Sequence, residues 1–230
     1  MPRRLNSLGL NSQDLQRHIA WDIGAAAVAS RLAARLDAFL ILQNWSRLVI
    51  DCNRPPGSRQ SILPSSGATR IPGNESVSAA ESLAREREIF IPYHARIRAE
   101  LDMRQAQGRS TILVAVHSFT PVMNGHRRPW HAGLLYNRDR RLAGVLLSTL
   151  RAGGDLIVGD NEPYSVSDST DYAIPVYGER RGLLHVGIEL RQDLIADEAG
   201  QNQWSERLAQ ALRAACDHLA ENSPEDTHRL

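Results

Sequence analysis

The order of its short apolar runs constrains this chain most. TILVAVH (111–117), AGLLY (132–136), DLIVG (155–159) and LLHVGIEL (183–190) have strand length, and amphipathic stretches at 140–150 and 202–219 lie among them. Strands alternating with helices predict an α/β fold, a three-layer sandwich with a mixed, mostly parallel sheet between helices. Earlier in the chain the pattern predicts a helix over 13–36 with Ser12 as N-cap. Two short strands follow at 38–42 and 47–52, then a Pro-, Ser- and Gly-rich loop over 55–73. A helical run over 79–107 contains Pro92, which must kink or divide it. With 230 residues the expectation is a single domain over 1–230, with a frayed tail at 220–230.

All of the 27 basic residues are arginine, against 26 acidic ones, a net charge of +1. Without lysine there is no Schiff-base chemistry, no P-loop and no Ser/Lys hydrolase. Charge balance and an aromatic content of 5% predict no nucleic-acid partner. Only Cys52 and Cys216 are present, which excludes a disulfide framework and fits a reducing cytoplasm. No apolar run approaches the roughly 18 residues that a membrane span needs, and the start MPRRLNSLGLNSQD lacks the apolar stretch of a secretory signal.

In sheets of this kind ligands collect beyond the carboxyl ends of strands. Those ends carry His117-Ser118, Asp51-Cys52-Asn53-Arg54, Asp160-Asn161-Glu162 and Glu189-Leu190-Arg191-Gln192-Asp193. His117 closes an apolar strand and is either a hydrogen-bonded structural residue or a metal contact. His18 and Asp22, four apart, would share one face of a helix, as a surface pair or around an ion. Glu189 ends a strand apolar enough to be central, so partial desolvation should raise its pKa and suit it to general-base work. Arg47, Arg54, Arg127, Arg128 and Arg191 flank these ends, and a planar guanidinium grips a carboxylate in a way lysine could not. There is no GxSxG elbow, GxGxxG loop or HExxH helix. Residue chemistry alone therefore reaches an α/β protein with a metal-assisted hydrolytic site for an anion.

The strings RHIAWDIGA (17–25), SRLVIDCNRPP (46–56), IFIPYH (89–94), HSFTPVMNG (117–125), RPWHAGLLY (128–136), VGDNEPY (158–164) and IELRQDLI (188–195) resemble the N-formylglutamate amidohydrolase family, in the family's order. The resemblance implies a zinc-carboxypeptidase-like (phosphorylase/hydrolase-like) fold. It implies hydrolysis of an N-formyl or related N-acyl amino acid, with one divalent ion, zinc, as cofactor. On it His117 is a metal ligand, with Asp22 or His18 as another, and Glu189 is the general base. Asn53-Arg54 holds the substrate carboxylate, with Arg47, Arg128 and Arg191 as further substrate-binding groups. The partner is then a small anionic substrate, with no nucleic acid and no membrane.

Three departures stand out. Family members begin with a further strand ending in an EHAS-type motif, whose histidine is a metal ligand; this chain begins after it. Tyr177 stands where a string like IPVHGE has histidine, and Gly187 where relatives often carry glutamate. The first departure motivates a rival of a different class, a non-catalytic anion-binding protein with a degenerate or truncated metal site.

Overall fold

The computed structural model describes residues 1–222. Its centre is a four-stranded sheet of β1 (Ile112–Phe119), β2 (Ala132–Leu135), β3 (Val158–Asp160) and β4 (Leu184–Arg191), in the order β1-β4-β2-β3. β1 runs parallel to β4 and β2 parallel to β3, while β2 and β4 are antiparallel. The fold is thus mixed α/β with a mostly parallel sheet, as the alternation of runs predicts.

Alternation along β4 sorts its side chains between two faces. Val186, Ile188 and Leu190 point into the main core, where they meet α1 (Ala25–Leu36), α4 (Arg141–Ala152) and α5 (Glu198–Glu221) through Val28, Leu146 and Leu208. His185, Gly187 and Glu189 take the other face. There the helical turn Ile174–Glu179 closes over His185, whose ring leaves no room for a side chain at Gly178. The same turn reaches α3 (Ile91–Ala106) through a hydrogen bond between Tyr177 and His94. Ahead of α3 lie α2 (Ala79–Arg85) and a π turn, Glu86–Phe90. Pro92 sits in the first turn of α3, directly after the π turn, and the backbone stays helical from Ala79 to Ala106, so the proline is met by a change of hydrogen-bond pattern rather than by a break.

The first third departs from expectation. No helix spans 13–36: Ser12–Leu15 forms one turn, and α1 begins only at Ala25. Gly24 is the reason. Its φ is +78°, and a Cβ there would lie 2.2 Å from the Ile195 carbonyl oxygen, so the backbone turns left-handed against the 195 segment before the helix can start. The strands expected at 38–42 and 47–52 are also absent. Ala38–Leu42 is irregular and makes no ladder, and 47–49 is a turn seated on Ser46, whose hydroxyl accepts from Leu48 N–H. Burial of Leu48, Val49 and Ile50 made this run look like a strand. They belong instead to a second apolar cluster with Leu8, Ile71, Ile89 and Phe90.

That second cluster is closed by polar groups. Arg85, 1% exposed, donates to the Val49 carbonyl, the Asn74 side chain, the Gly73 carbonyl and Glu81. Asn74 in turn donates to the carbonyls of Leu48 and Leu63. Most of the tail expected at 220–230 lies outside the described residues; α5 continues to Glu221.

Candidate active site

The parallel register of β1 and β4 sets His117 directly beside Glu189 on the face turned away from the main core. Two residues seventy-two positions apart in sequence are thereby neighbours at the carboxyl ends of adjacent strands. The irregular first third folds over them. Asp22, freed from any helix by the turn before Gly24, places Oδ2 2.8 Å from His117 Nδ1, and Arg47 bonds its other oxygen. Arg47 also lies 3.9 Å from Asp51. The chain of contacts is therefore Asp51, Arg47, Asp22, His117, with Glu189 alongside.

Each charge in this row answers to its neighbours. Glu189 is 7% exposed; burial lifts its carboxyl to about 7 against the pull of the His117 charge, and Asp22 adds to the rise. Its Oε2 has no hydrogen-bond partner, which leaves a poised acceptor. Burial alone would lower His117, but the hydrogen bond and charge of Asp22 outweigh it and hold the imidazole up at about 9. Asp22 is raised by burial, yet the charge of Arg47 and the contact with His117 keep it below the usual carboxylate range.

The remaining predicted residues divide. His18 is half-buried nearby, but it is not on a helix with Asp22 and bonds neither Asp22 nor His117; burial and the charges of Arg17, Arg128 and Arg47 depress it. Asn53 and Arg54 are committed to a loop. Asn53 Oδ1 accepts from the N–H groups of Tyr172 and Ala173, its side-chain Nδ2 donates to Asp171, and Arg54 bonds the Thr170 carbonyl and Asp171. β4 ends at Arg191, so Asp193 leaves the strand face; Arg191 pairs with Asp193 and reaches the carbonyls of Pro129 and Trp130. Of the four arginines expected to bind substrate, Arg47, Arg54 and Arg191 pair with Asp22, Asp171 and Asp193, and Arg128 has no carboxylate partner among the described residues; Arg127 lies in the exposed two-residue strand His126–Arg127. Arg128 donates to the Tyr164 hydroxyl. Asp171 and Tyr164 carry no periodic signal in the sequence, since both lie in the irregular stretch after β3.

A catalytic zinc site needs about three converging protein donors and an open position. Among the described residues no three His, Cys, Asp or Glu side chains come together in that way. Nδ1 of His117 is taken by Asp22, and Asp22 is shared with Arg47, so a guanidinium already balances the carboxylate. The residues present do not by themselves build the ion's site. A cleft of about 580 Å³ leads to this corner along the unpaired outer edge of β1, past Leu113, Ala115 and Ile97.

The profile of the N-formylglutamate amidohydrolase family matches residues 1–196. The chain belongs to the N-formylglutamate amidohydrolase family. As a member it is an amide-bond hydrolase. The crystal structure of gene product Atu2144 from Agrobacterium tumefaciens is similar over 96% of this chain and 87% of that one, with 38% identity and a TM-score of 0.92. The N-formylglutamate amidohydrolase of Ralstonia eutropha JMP134 shares the fold, with a TM-score of 0.52 and 20% identity over 76% of this chain and 75% of that one. Comparison with curated proteins gives no match. Among the described residues of this amidohydrolase-family chain, no helix is long and apolar enough to cross a membrane.

Proposed function

We propose that this amidohydrolase cleaves an N-formyl or related N-acyl amino acid, such as N-formyl-L-glutamate, to formate and the free amino acid. The observation that carries the reading is the register pairing of His117 with Glu189, with a raised carboxyl and a free acceptor oxygen at Glu189. Ionised Glu189 takes a proton from the attacking water and delivers it to the departing nitrogen. The His117 imidazolium, held by Asp22, faces the oxygen on which negative charge develops. Arg128 binds the carboxylate of the amino acid, which fixes the amide against Glu189. The two cysteines, both unpaired, suit work in a reducing cytoplasm.

Zinc is the cofactor that family membership suggests, and the fit above leaves it at least one donor short, so no step is routed through it. The test is formate release from N-formyl-L-glutamate by the full chain, with bound metal measured on the same sample. Glu189→Gln should lower turnover by about two to four powers of ten while substrate affinity changes little. Turnover within threefold or so of the parent would remove Glu189 from the base position. Anion binding without any turnover in the parent would favour the rival, a binding protein with a degenerate site.

A further inference from the structure

The turn after β3 is fixed with unusual firmness. The Glu162 carbonyl lies so close to Gly133 that a Cβ there would meet its oxygen at 1.7 Å, and Gly159 leaves only 2.6 Å to the Glu162 side chain. Two ordinary residues at these positions would push the turn off the sheet. Asn161, at a φ of +53°, ties it from the other side: its N–H donates to the Leu134 carbonyl and its side-chain oxygen accepts from the Tyr136 N–H. The string VGDNEPY thus builds a rigid mount that ends in Tyr164, whose side chain is 41% exposed. A large aromatic ring held in place and left in solvent serves no packing purpose there.

Arg128 has the opposite support. It follows a two-stranded hairpin, Val122–Met123 with His126–Arg127, in which all four strand residues are exposed. Two contacts hold its guanidinium: Arg128 Nη1 donates to the Tyr164 hydroxyl at 2.8 Å, with Cζ 4.9 Å from the ring centroid, and Nη2 meets Met123 Sδ of the hairpin. Phe119, at the end of β1, lies 5.8 Å away on its ring face. The remaining donors of Arg128 face no carboxylate among the described residues, and its charge is felt at both His18 and Glu189. The Tyr164 phenol is close enough to act on Arg47 as well. Tyr164 and Arg128 thus lie beside the row that holds His117.

We propose that Tyr164 is a positioning and specificity residue: mounted on the rigid turn after β3, it aims the Arg128 fork at the carboxylate of the bound amino acid, so that substrates with that carboxylate are selected over neutral amides. The inference rests on the amide-hydrolase reading above and deepens it by assigning how the anion is recognised. A cation with an exposed, unordered side chain loses much of its worth to ordering; a tether that orders it beforehand removes that cost at binding.

The experiment compares the full chain with Tyr164→Phe, which keeps the ring and deletes the hydroxyl, and with Arg128→Gln. With N-formyl-L-glutamate, Tyr164→Phe should raise KM about fivefold to twentyfold with kcat nearly unchanged, and Arg128→Gln should raise it further, as expected for loss of uniform binding energy. With the neutral analogue N-formyl-L-glutamine amide the KM increase of each variant should fall to about twofold or less, while Arg128→Gln also shifts the pH profile because its charge acts on Glu189. In the double variant the Tyr164→Phe effect should disappear, since the tether has nothing left to aim. Equal KM increases on charged and neutral amides, or additive effects in the double variant, would overturn the proposal. Calorimetric binding of L-glutamate to the three proteins reads the same recognition without turnover. If no amide is cleaved but glutamate affinity falls in both single variants, the activity reading fails and the tether stands; if amides are cleaved and glutamate affinity is unchanged, the tether fails alone.

Discussion

The sheet half of the molecule and the irregular first third bury apolar clusters of different construction. In the sheet half, β1–β4 satisfy their backbones in ladders, so the core is built of Leu, Ile, Val and Ala with a single aromatic, Trp204, and Leu134, Leu142, Leu146 and Ile188 are at or near zero exposure. Residues 3–74 have almost no ladder: two two-residue strands at Ser65–Ser66 and Thr69–Arg70, and a few short turns outside α1. Their buried carbonyls need side-chain donors, and Arg85 and Asn74 supply them. A core with regular secondary structure draws its stability from area and volume; one without it depends on a few named hydrogen bonds. The active site lies on the seam, with His117 and Glu189 from the first kind of region and Asp22 and Arg47 from the second.

Three measurements test that contrast. The largest effect is expected at Arg85. Arg85→Met keeps apolar bulk but strands the Val49 and Gly73 carbonyls and Asn74, and should cost about 3–5 kcal/mol in urea unfolding. A cost below about 1 kcal/mol would erase the distinction. Next is His94, which links α3 to the second cluster. Buried neutral, with the Cys52 carbonyl accepting from Nε2 and the Tyr177 hydroxyl at Nδ1, it is pushed down to about 4. Its folded value lies below the ordinary 6.5, so the unfolded chain binds the extra proton between those limits. The stabilisation is present above about 6.5 and is lost as pH falls toward 4, by at most about 3 kcal/mol. His94→Gln should flatten the stability profile in that window relative to the parent; parallel profiles would assign the acid sensitivity elsewhere. The smallest effect is Ile188→Val in the sheet core, about 0.5–1.5 kcal/mol, the cost of one methylene in a close-packed interior. A loss as large as that of Arg85→Met would show that both cores depend on unique fits.

The same contrast explains what could be read in advance. β1, β2 and β4, together with α4 and α5, fall near the boundaries that periodicity suggests, because each is long or apolar enough for its pattern to outweigh local accidents. The raised carboxyl of Glu189 follows from the apolar run that precedes it. In the first third the same reasoning fails at Gly24 and at 47–52: apolar residues there are buried by a loop cluster, and burial without a ladder leaves the same sequence trace as a strand. Of the arginines, the sequence shows five near the site and nothing that separates them; in the fold Arg47 is spent on Asp22, Arg54 on Asp171 and Arg191 on Asp193, and Arg128 is held by Tyr164.

The amino-acid sequence by itself determined the class of fold, the strands that carry His117 and Glu189 near their carboxyl ends, and family membership, since all three depend on short-range patterns or on strings of adjacent residues. Only the tertiary structure decided that those two side chains are neighbours, that Asp22 orients one of them, and which of the four guanidinium groups has no carboxylate partner among the described residues. Register between strands and the pairing of charges across loops are set by contacts between distant segments, and no local pattern carries them.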